Sequence, residues 1–186
     1  LPDDRIAQEP ARQRDEARLM RLDRRTGARA HHRVADLPGL LAPGDLVVAN
    51  DTRVFPARLL GRRDPSGGAV ECLLLAPLGA DRWDALVHPG QKLKPGARAV
   101  FDRAGHRILL EVLERHFHGR RTVRLTVESG HDLAEAIDAV GHVPLPPYIK
   151  RAARPGDQDR YQTIFATVRG SVAAPTAGLH FSPALV

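Results

Sequence analysis

The middle of this sequence, between about residues 57 and 127, predicts a small antiparallel β-barrel or sandwich, set between flanks that mix strand and helix signals. Three observations carry that reading. Apolar and polar side chains alternate with period two: Trp83, Ala85 and Val87 interleave with Asp84, Leu86 and His88, and Val123, Leu125 and Val127 with Arg124 and Thr126. Such alternation turns one face of a strand toward a core and the other toward water. Turn residues punctuate the stretch at Pro65-Ser66-Gly67-Gly68, Pro89-Gly90, Pro95-Gly96 and His118-Gly119. Several short strands at this spacing suit a small barrel or sandwich.

The flanking elements follow in order. Arg18–Asp23 is a short apolar segment; Arg24-Arg25-Thr26-Gly27 supplies a turn, and Ala28–Val34 completes a hairpin. Asp36–Leu41 predicts a short helix, stopped by Pro43-Gly44. Asp45-Leu46-Val47-Val48-Ala49 predicts a buried strand leading into Asn50-Asp51-Thr52-Arg53. Asp132–Val140 predicts a helix with Leu133, Ile137 and Val140 on one stripe and Gly141 as its stop. Pro144–Gly156 is Pro-rich, basic and irregular, as suits a domain boundary or a site.

With 42% hydrophobic and 27% charged residues the composition suits a globular protein. No apolar run is long enough to span a bilayer, and the acidic N-terminal residues lack a secretory apolar region, so a cytoplasmic location is expected. Cys72, the single cysteine, can form no internal disulfide; its apolar surroundings predict a small packed hydrophobe. The net charge of +6 favours a polyanionic partner, though most of the basic residues are arginine, which codon bias also supplies. The chain starts at Leu1 and ends on Ser182-Pro183, which reads as the first turn of a helix; a piece of a longer protein is the expectation.

Four stretches could carry chemistry. In Asn50–Arg58, Arg53 and Arg58 offer forked donors to a carboxylate or phosphate; the plainer reading is an Asx-turn with surface arginines. Pro144-Leu145-Pro146-Pro147-Tyr148-Ile149-Lys150-Arg151 stiffly presents a tyrosine ring beside two cations, either to RNA or simply to solvent as a linker. In Asp159–Ala166, Tyr161, Ile164 and Phe165 can fill one face, with Arg160 and Gln162 as polar ligands. Gly170–Phe181 is small and apolar, with Ser171, Thr176 and His180 embedded; Gly178 permits a tight turn aiming His180, or the histidine is a bonded core residue. His31-His32 diverge across a strand, and His116 and His118 lack a third ligand, so both pairs are surface features rather than metal sites.

Together NDTRVFPARL at 50–59, PLPPYIKR at 144–151, DRYQTIFA at 159–166 and GSVAAPTAGLHF at 170–181 resemble the signature of the S-adenosylmethionine:tRNA ribosyltransferase-isomerases of queuosine biosynthesis, the QueA family. IAQEP at 6–10, DLPGLLAPGDLVV at 36–48 and VHPGQKLKPG at 87–96 agree, so the similarity runs through nearly the whole chain. The resemblance implies transfer and isomerisation of the ribosyl group of S-adenosylmethionine, the co-substrate. The acceptor is 7-aminomethyl-7-deazaguanine at the wobble position of the tRNA anticodon arm, and the products are epoxyqueuosine, adenine and methionine. It implies no prosthetic group, metal or membrane. A sulfonium acidifies the neighbouring C–H, so a base is useful; adenine leaves more readily when protonated, so an acid helps.

On that resemblance His180 is expected to carry protons, with Thr176 and Ser171 beside it and Asp51 as a second acid or base. Arg53 would orient the methionine carboxylate or a phosphate. Tyr148, Lys150 and Arg151 would meet the anticodon arm or the adenosine, and Arg160, Gln162 and Gly178 complete the expected binding set. The implied fold is a mixed α/β domain, residues 1–58 plus 144–186, interrupted by a small inserted antiparallel β-barrel, residues 59–143. Family members are considerably longer, so exposed apolar edges are expected in the α/β part. Alternatives are a non-catalytic tRNA-binding module, an inactive fragment, or a hydrolase using Ser171 and His180; the last lacks a nucleophile-elbow context.

Overall fold

The computed structural model describes residues 2–128, 130 and 132–186; Leu1, part of the reading of the chain start, lies outside them. The chain divides into two compact units. One holds residues 54–144 and 170–173, the other residues 1–53, 145–169 and 174–186.

The first unit is built on a closed six-stranded barrel. Its strands are β4 (Arg58–Asp64), β5 (Ala69–Pro77), β6 (Arg82–His88), β7 (Arg98–Arg103), β8 (His106–Arg115) and β9 (Arg120–Val127). They close in the order β4-β5-β6-β9-β8-β7, every pairing antiparallel. Closure removes the unpaired edges that an open sheet would expose. Register shifts at Leu74/Ala76 and Val112/Glu114 add the local bend a small barrel needs. Inward positions follow the period-two pattern: Leu59, Cys72, Leu74, Ala85, Phe101, Ile108, Leu110 and Val123 are fully buried. Each large side chain removed from water here contributes about 2 kcal/mol. Cys72 packs in this core, where burial pushes its thiol pKa up and leaves it an inert hydrophobe.

The helix α1 (Leu133–Val140) covers β7, β8 and β9 with Ala136, Ile137 and Val140 buried. Asp132 caps it, accepting from the Ala134 and Glu135 amides at 2.9 and 3.4 Å. Gly141 does end the helix, but not through a left-handed turn: its φ is −74°. A Cβ there would lie 1.9 Å from the Pro56 carbonyl oxygen, so the glycine serves a close backbone approach. Beside it, Arg58 and His142 exchange backbone bonds of 3.1 and 2.8 Å, drawing together the two ends of the barrel segment. Outward-facing charges pair across strands: Arg58 with Glu71, Arg120 with Asp84, and Arg124 with Glu111.

The second unit contains the hairpin β1 (Arg18–Leu22) and β2 (Arg29–Arg33), in register Arg18↔Arg33 to Leu22↔Arg29. A 3-10 helix, Val34–Leu40, follows where a short α-helix over Asp36–Leu41 was expected. Pro38 lies inside it and removes a donor, which suits the tighter, shorter form. Its start is fixed by Asp36, whose carboxylate accepts from the Arg33 amide at 2.8 Å.

The buried strand expected at Asp45–Ala49 does not form. These residues have no regular structure, and Leu46, Val47 and Val48 are 86%, 54% and 83% exposed. A strand needs a neighbour for its ladder bonds, and among the described residues none pairs with this segment. Met20 and Leu22 of the hairpin are exposed as well. β3 (Thr52–Val54) pairs with β10 (Val168–Ser171) in a separate two-stranded sheet. A single helical turn, α2 (Asp157–Arg160), follows the irregular Pro-rich stretch. Among the described residues no helix is long and apolar enough to cross a membrane.

Candidate functional site

The second unit contains a cleft of about 320 Å³, within the range of small-ligand sites. Three sequence-distant segments form it: residues 7–17, the stretch from Leu145 to Tyr161, and the end of the chain through Thr176, Leu179 and His180. Side-chain bonds to the backbone hold these segments together, because none of them is regular enough to supply a ladder. Gln8 is the first fastener: its amide donates to the Tyr148 carbonyl at 3.1 Å and accepts from the Lys150 amide at 2.7 Å. That presents the Tyr148 ring, about half exposed, on the cleft wall.

Arg151 is the second fastener. It donates twice to Asp157, both bonds 2.7 Å, and meets Glu9 at 3.1 Å. The guanidinium and an additional bond from the Arg154 amide hold the Asp157 pKa down to about 2. Arg151, expected to meet the anticodon arm or the adenosine, lines the cleft with its fork held by the Asp157 carboxylate. Lys150 reaches the carboxylate of Asp3 and is otherwise exposed.

Arg14 and Arg160 form the third fastening. Arg14 donates to the carbonyls of Leu179 and Asp159 at 2.9 and 3.0 Å, and Arg160 to those of Ala11 and Arg12 at 2.6 and 3.5 Å. Among the described residues neither has a carboxylate within ion-pair distance. Burial and the charge of Arg160 both lower the Arg14 pKa, so this wall is short of negative charge.

The chain end is set by a 3-10 helix, Thr176–His180. Thr176 and His180 both line the cleft and are solvent-exposed. Gly178 lies in the tight 3-10 turns, its amide donating to the Pro175 carbonyl at 2.8 Å, and it also serves packing: a Cβ would lie 2.9 Å from the Thr163 Cγ2. Phe165 and Phe181 meet edge to face at 5.5 Å, and Tyr161 is buried at the cleft, with burial raising its pKa. Ser182 accepts from the Leu185 amide at 3.2 Å, the bond expected of a capping serine.

Of the residues singled out in the sequence, the cleft therefore gathers Tyr148, Arg151, Arg160, Thr176 and His180. Asp51 and Arg53 do not line it. Asp51 is exposed, and its carbonyl accepts from the Thr167 and Val168 amides; Arg53 is exposed on β3. Asn50 closes the expected Asx-turn onto the Thr52 amide at 2.8 Å. The Ser171 hydroxyl, expected beside His180, is closed onto Ala173 and belongs to the barrel unit. Gln162 is half-buried beyond α2, outside the cleft lining. Gln8, Glu9, Arg14 and Asp157 escaped notice as site residues, although IAQEP at 6–10 belongs to the resembling set. Among the described residues no three metal-ligating side chains are grouped together.

A family model described as queuosine biosynthesis protein matches residues 1–186. An S-adenosylmethionine:tRNA ribosyltransferase-isomerase of Heliobacterium modesticaldum is 48% identical over 186 residues, covering 100% of this chain and 53% of that protein. One of Solibacter usitatus is 47% identical over 204 residues, covering 100% and 56%. A crystal structure of S-adenosylmethionine tRNA ribosyltransferase from Thermotoga maritima is 33% identical, covers 100% of this chain and 50% of that one, and superposes with a TM-score of 0.33. The chain spans about half the length of the curated relatives it matches. With the family match running from the first residue to the last, the chain belongs to the queuosine biosynthesis protein family.

Proposed function

We propose that this chain forms part of an enzyme that transfers the ribosyl group of S-adenosylmethionine to the aminomethyl group of 7-aminomethyl-7-deazaguanine at the tRNA wobble position. The ribose is isomerised to the epoxycyclopentane of epoxyqueuosine, and adenine and methionine are released. The supporting observation is the convergence in one cleft of residues from four motifs far apart in sequence: IAQEP, PLPPYIKR, DRYQTIFA and GSVAAPTAGLHF. Family membership supplies the chemistry that such a cleft would serve. We further propose that residues 1–58 and 144–186 belong to a mixed α/β domain into which the barrel, residues 59–143, is inserted. The paired backbones of Arg58 and His142 suit an insertion whose ends meet.

In this reading the anion-poor wall of Arg14 and Arg160 receives the methionine carboxylate, and the Tyr148 ring stacks on adenine or a splayed base. His180 moves the proton: its imidazole is exposed to the cleft and can act as base toward the acidified C–H or as acid toward departing adenine. Thr176, one turn earlier on the same 3-10 helix, donates to the developing ring oxygen. Lys150 would leave the Asp3 carboxylate to meet an RNA phosphate. Asp51, Arg53, Ser171 and Gln162, outside the cleft lining, would act only at a distance from it. S-adenosylmethionine is a co-substrate here and no prosthetic group takes part; the cell compartment is the cytoplasm, where tRNA is modified.

His180→Ala tests the assignment. The side chain is exposed, so the fold should be unaffected. Adenine release from S-adenosylmethionine should fall by about two to four orders of magnitude, the usual contribution of a positioned acid or base, while tRNA affinity stays within about twofold. Ribosyl transfer at the parental rate would remove His180 from the mechanism.

A further inference from the structure

The barrel carries a second cleft, of about 870 Å³, that the proposed reaction does not use. Its floor is the outer face of β5 and β6, where Leu73 opposes Leu86 and Glu71 opposes His88. Its wall is Arg115, at the end of β8, and the loop 116–119 that leads to β9. The sequence His116-Phe117-His118 left no metal reading, yet the loop is elaborately held. His118 at φ 53° and Gly119 at φ 81° make the tight left-handed turn that joins β8 to β9. Phe117 stands 88% exposed at the tip.

Beneath the loop lies Arg121, 1% exposed. Its guanidinium donates to the carbonyls of Gly90, Arg120 and Leu93 at 2.6, 2.8 and 3.0 Å, bolting the 90–93 turn to β9 and the base of the loop. Among the described residues it has no carboxylate within ion-pair distance. Carbonyl oxygens satisfy its hydrogen bonds but leave its charge uncompensated. Burial and the nearby charge of Arg115 both press its pKa down. Among the described residues the one carboxylate lining the cleft, Glu71, is already held by Arg58 at 2.7 and 2.9 Å. The cleft is thus cationic by construction, with a hydrocarbon floor and one aromatic ring at its lip.

We propose that this cleft is a second RNA contact, in which Arg115 and the buried Arg121 attract a phosphodiester and Phe117 stacks on an adjacent unpaired base. An RNA loop offers both groups on one strand: anionic phosphates and splayed bases whose faces stack on an aromatic ring. An acidic protein segment would satisfy the charge and leave Phe117 without a partner. The proposal rests on the tRNA reading above for the identity of the nucleic acid, and extends it from the cleft at His180 to the barrel.

The test is tRNA binding by the 186-residue chain, measured against salt. Phe117→Ala should weaken binding about tenfold, as loss of one stacked base does, and Phe117→Tyr should restore it. Arg115→Ala should make the slope of log K against log salt shallower by about 0.7, one phosphate contact on single-stranded RNA. Both residues are exposed, so the melting temperature of the barrel should not change. Parental affinity and slope in both variants, with the parent binding tRNA, would overturn the barrel contact and leave the tRNA reading standing. A parent chain that binds no tRNA would overturn both. Binding of a polyglutamate peptide, abolished by the same variants, would reassign the cleft to an acidic protein and overturn the RNA contact.

Discussion

Arg151 shows how a residue can stand out in a motif while its task stays hidden. PLPPYIKR marks it as a cation beside a tyrosine, and RNA is the natural partner for that pairing. Its actual partner, Asp157, lies six residues on across an irregular loop, where no periodicity announces a pair. Removing the arginine leaves a largely buried carboxylate with the Arg154 amide bond but no guanidinium fork. Arg151→Ala should lower the urea midpoint of unfolding, and the Arg151→Ala/Asp157→Ala double variant should lose clearly less than the sum of the single losses. The sign with pH follows from the depressed pKa. Asp157 contributes stability that is complete above its unfolded value near 4 and is lost as pH falls through about 2. That contribution is about 2 kcal/mol, and Asp157→Asn should flatten the acid limb of a stability curve by that amount. Additive single losses, or an unchanged acid limb, would show that the pair holds nothing.

Among the elements, the barrel strands were legible because their side chains alternate with period two and their turns are spelled in glycine and proline, and the hairpin from its turn residues Arg24–Gly27. α1 was legible from its stripe and cap. The segment 45–49 was not, and the reason is physical: an apolar run reports what a strand would bury, not whether a neighbour is present to pair with it. Val48 settles the point experimentally. At 83% exposure, Val48→Lys should change the stability of this chain by no more than about 0.5 kcal/mol. A loss of several kcal/mol in thermal unfolding would restore the buried strand. The 3-10 form of Val34–Leu40 likewise escaped, since hydrophobic spacing over two turns does not separate it from an α-helix.

At the scale of the whole molecule, sequence reasoning reached the motifs but not their grouping. The imidazole of His180 and the ring of Tyr148 were both singled out, and they do line one cleft. Asp51 and Ser171 looked equally chemical, yet their side chains or backbone are engaged elsewhere. The difference lies in side-chain fasteners, Gln8, Arg14, Arg151 and Arg160, that draw irregular segments together through carbonyl and carboxylate bonds. Such bonds leave no pattern in one sequence. What matters most is what this assembled cleft does with a sulfonium nucleoside. Incubating the protein with S-adenosylmethionine and tRNA bearing 7-aminomethyl-7-deazaguanine, and measuring free adenine beside the mass of the wobble nucleotide, tests it most directly. The prediction is one adenine released for each wobble base that gains the epoxycyclopentane. Full-affinity binding of the tRNA with no adenine released would contradict it, leaving a protein that grips its RNA without remodelling it.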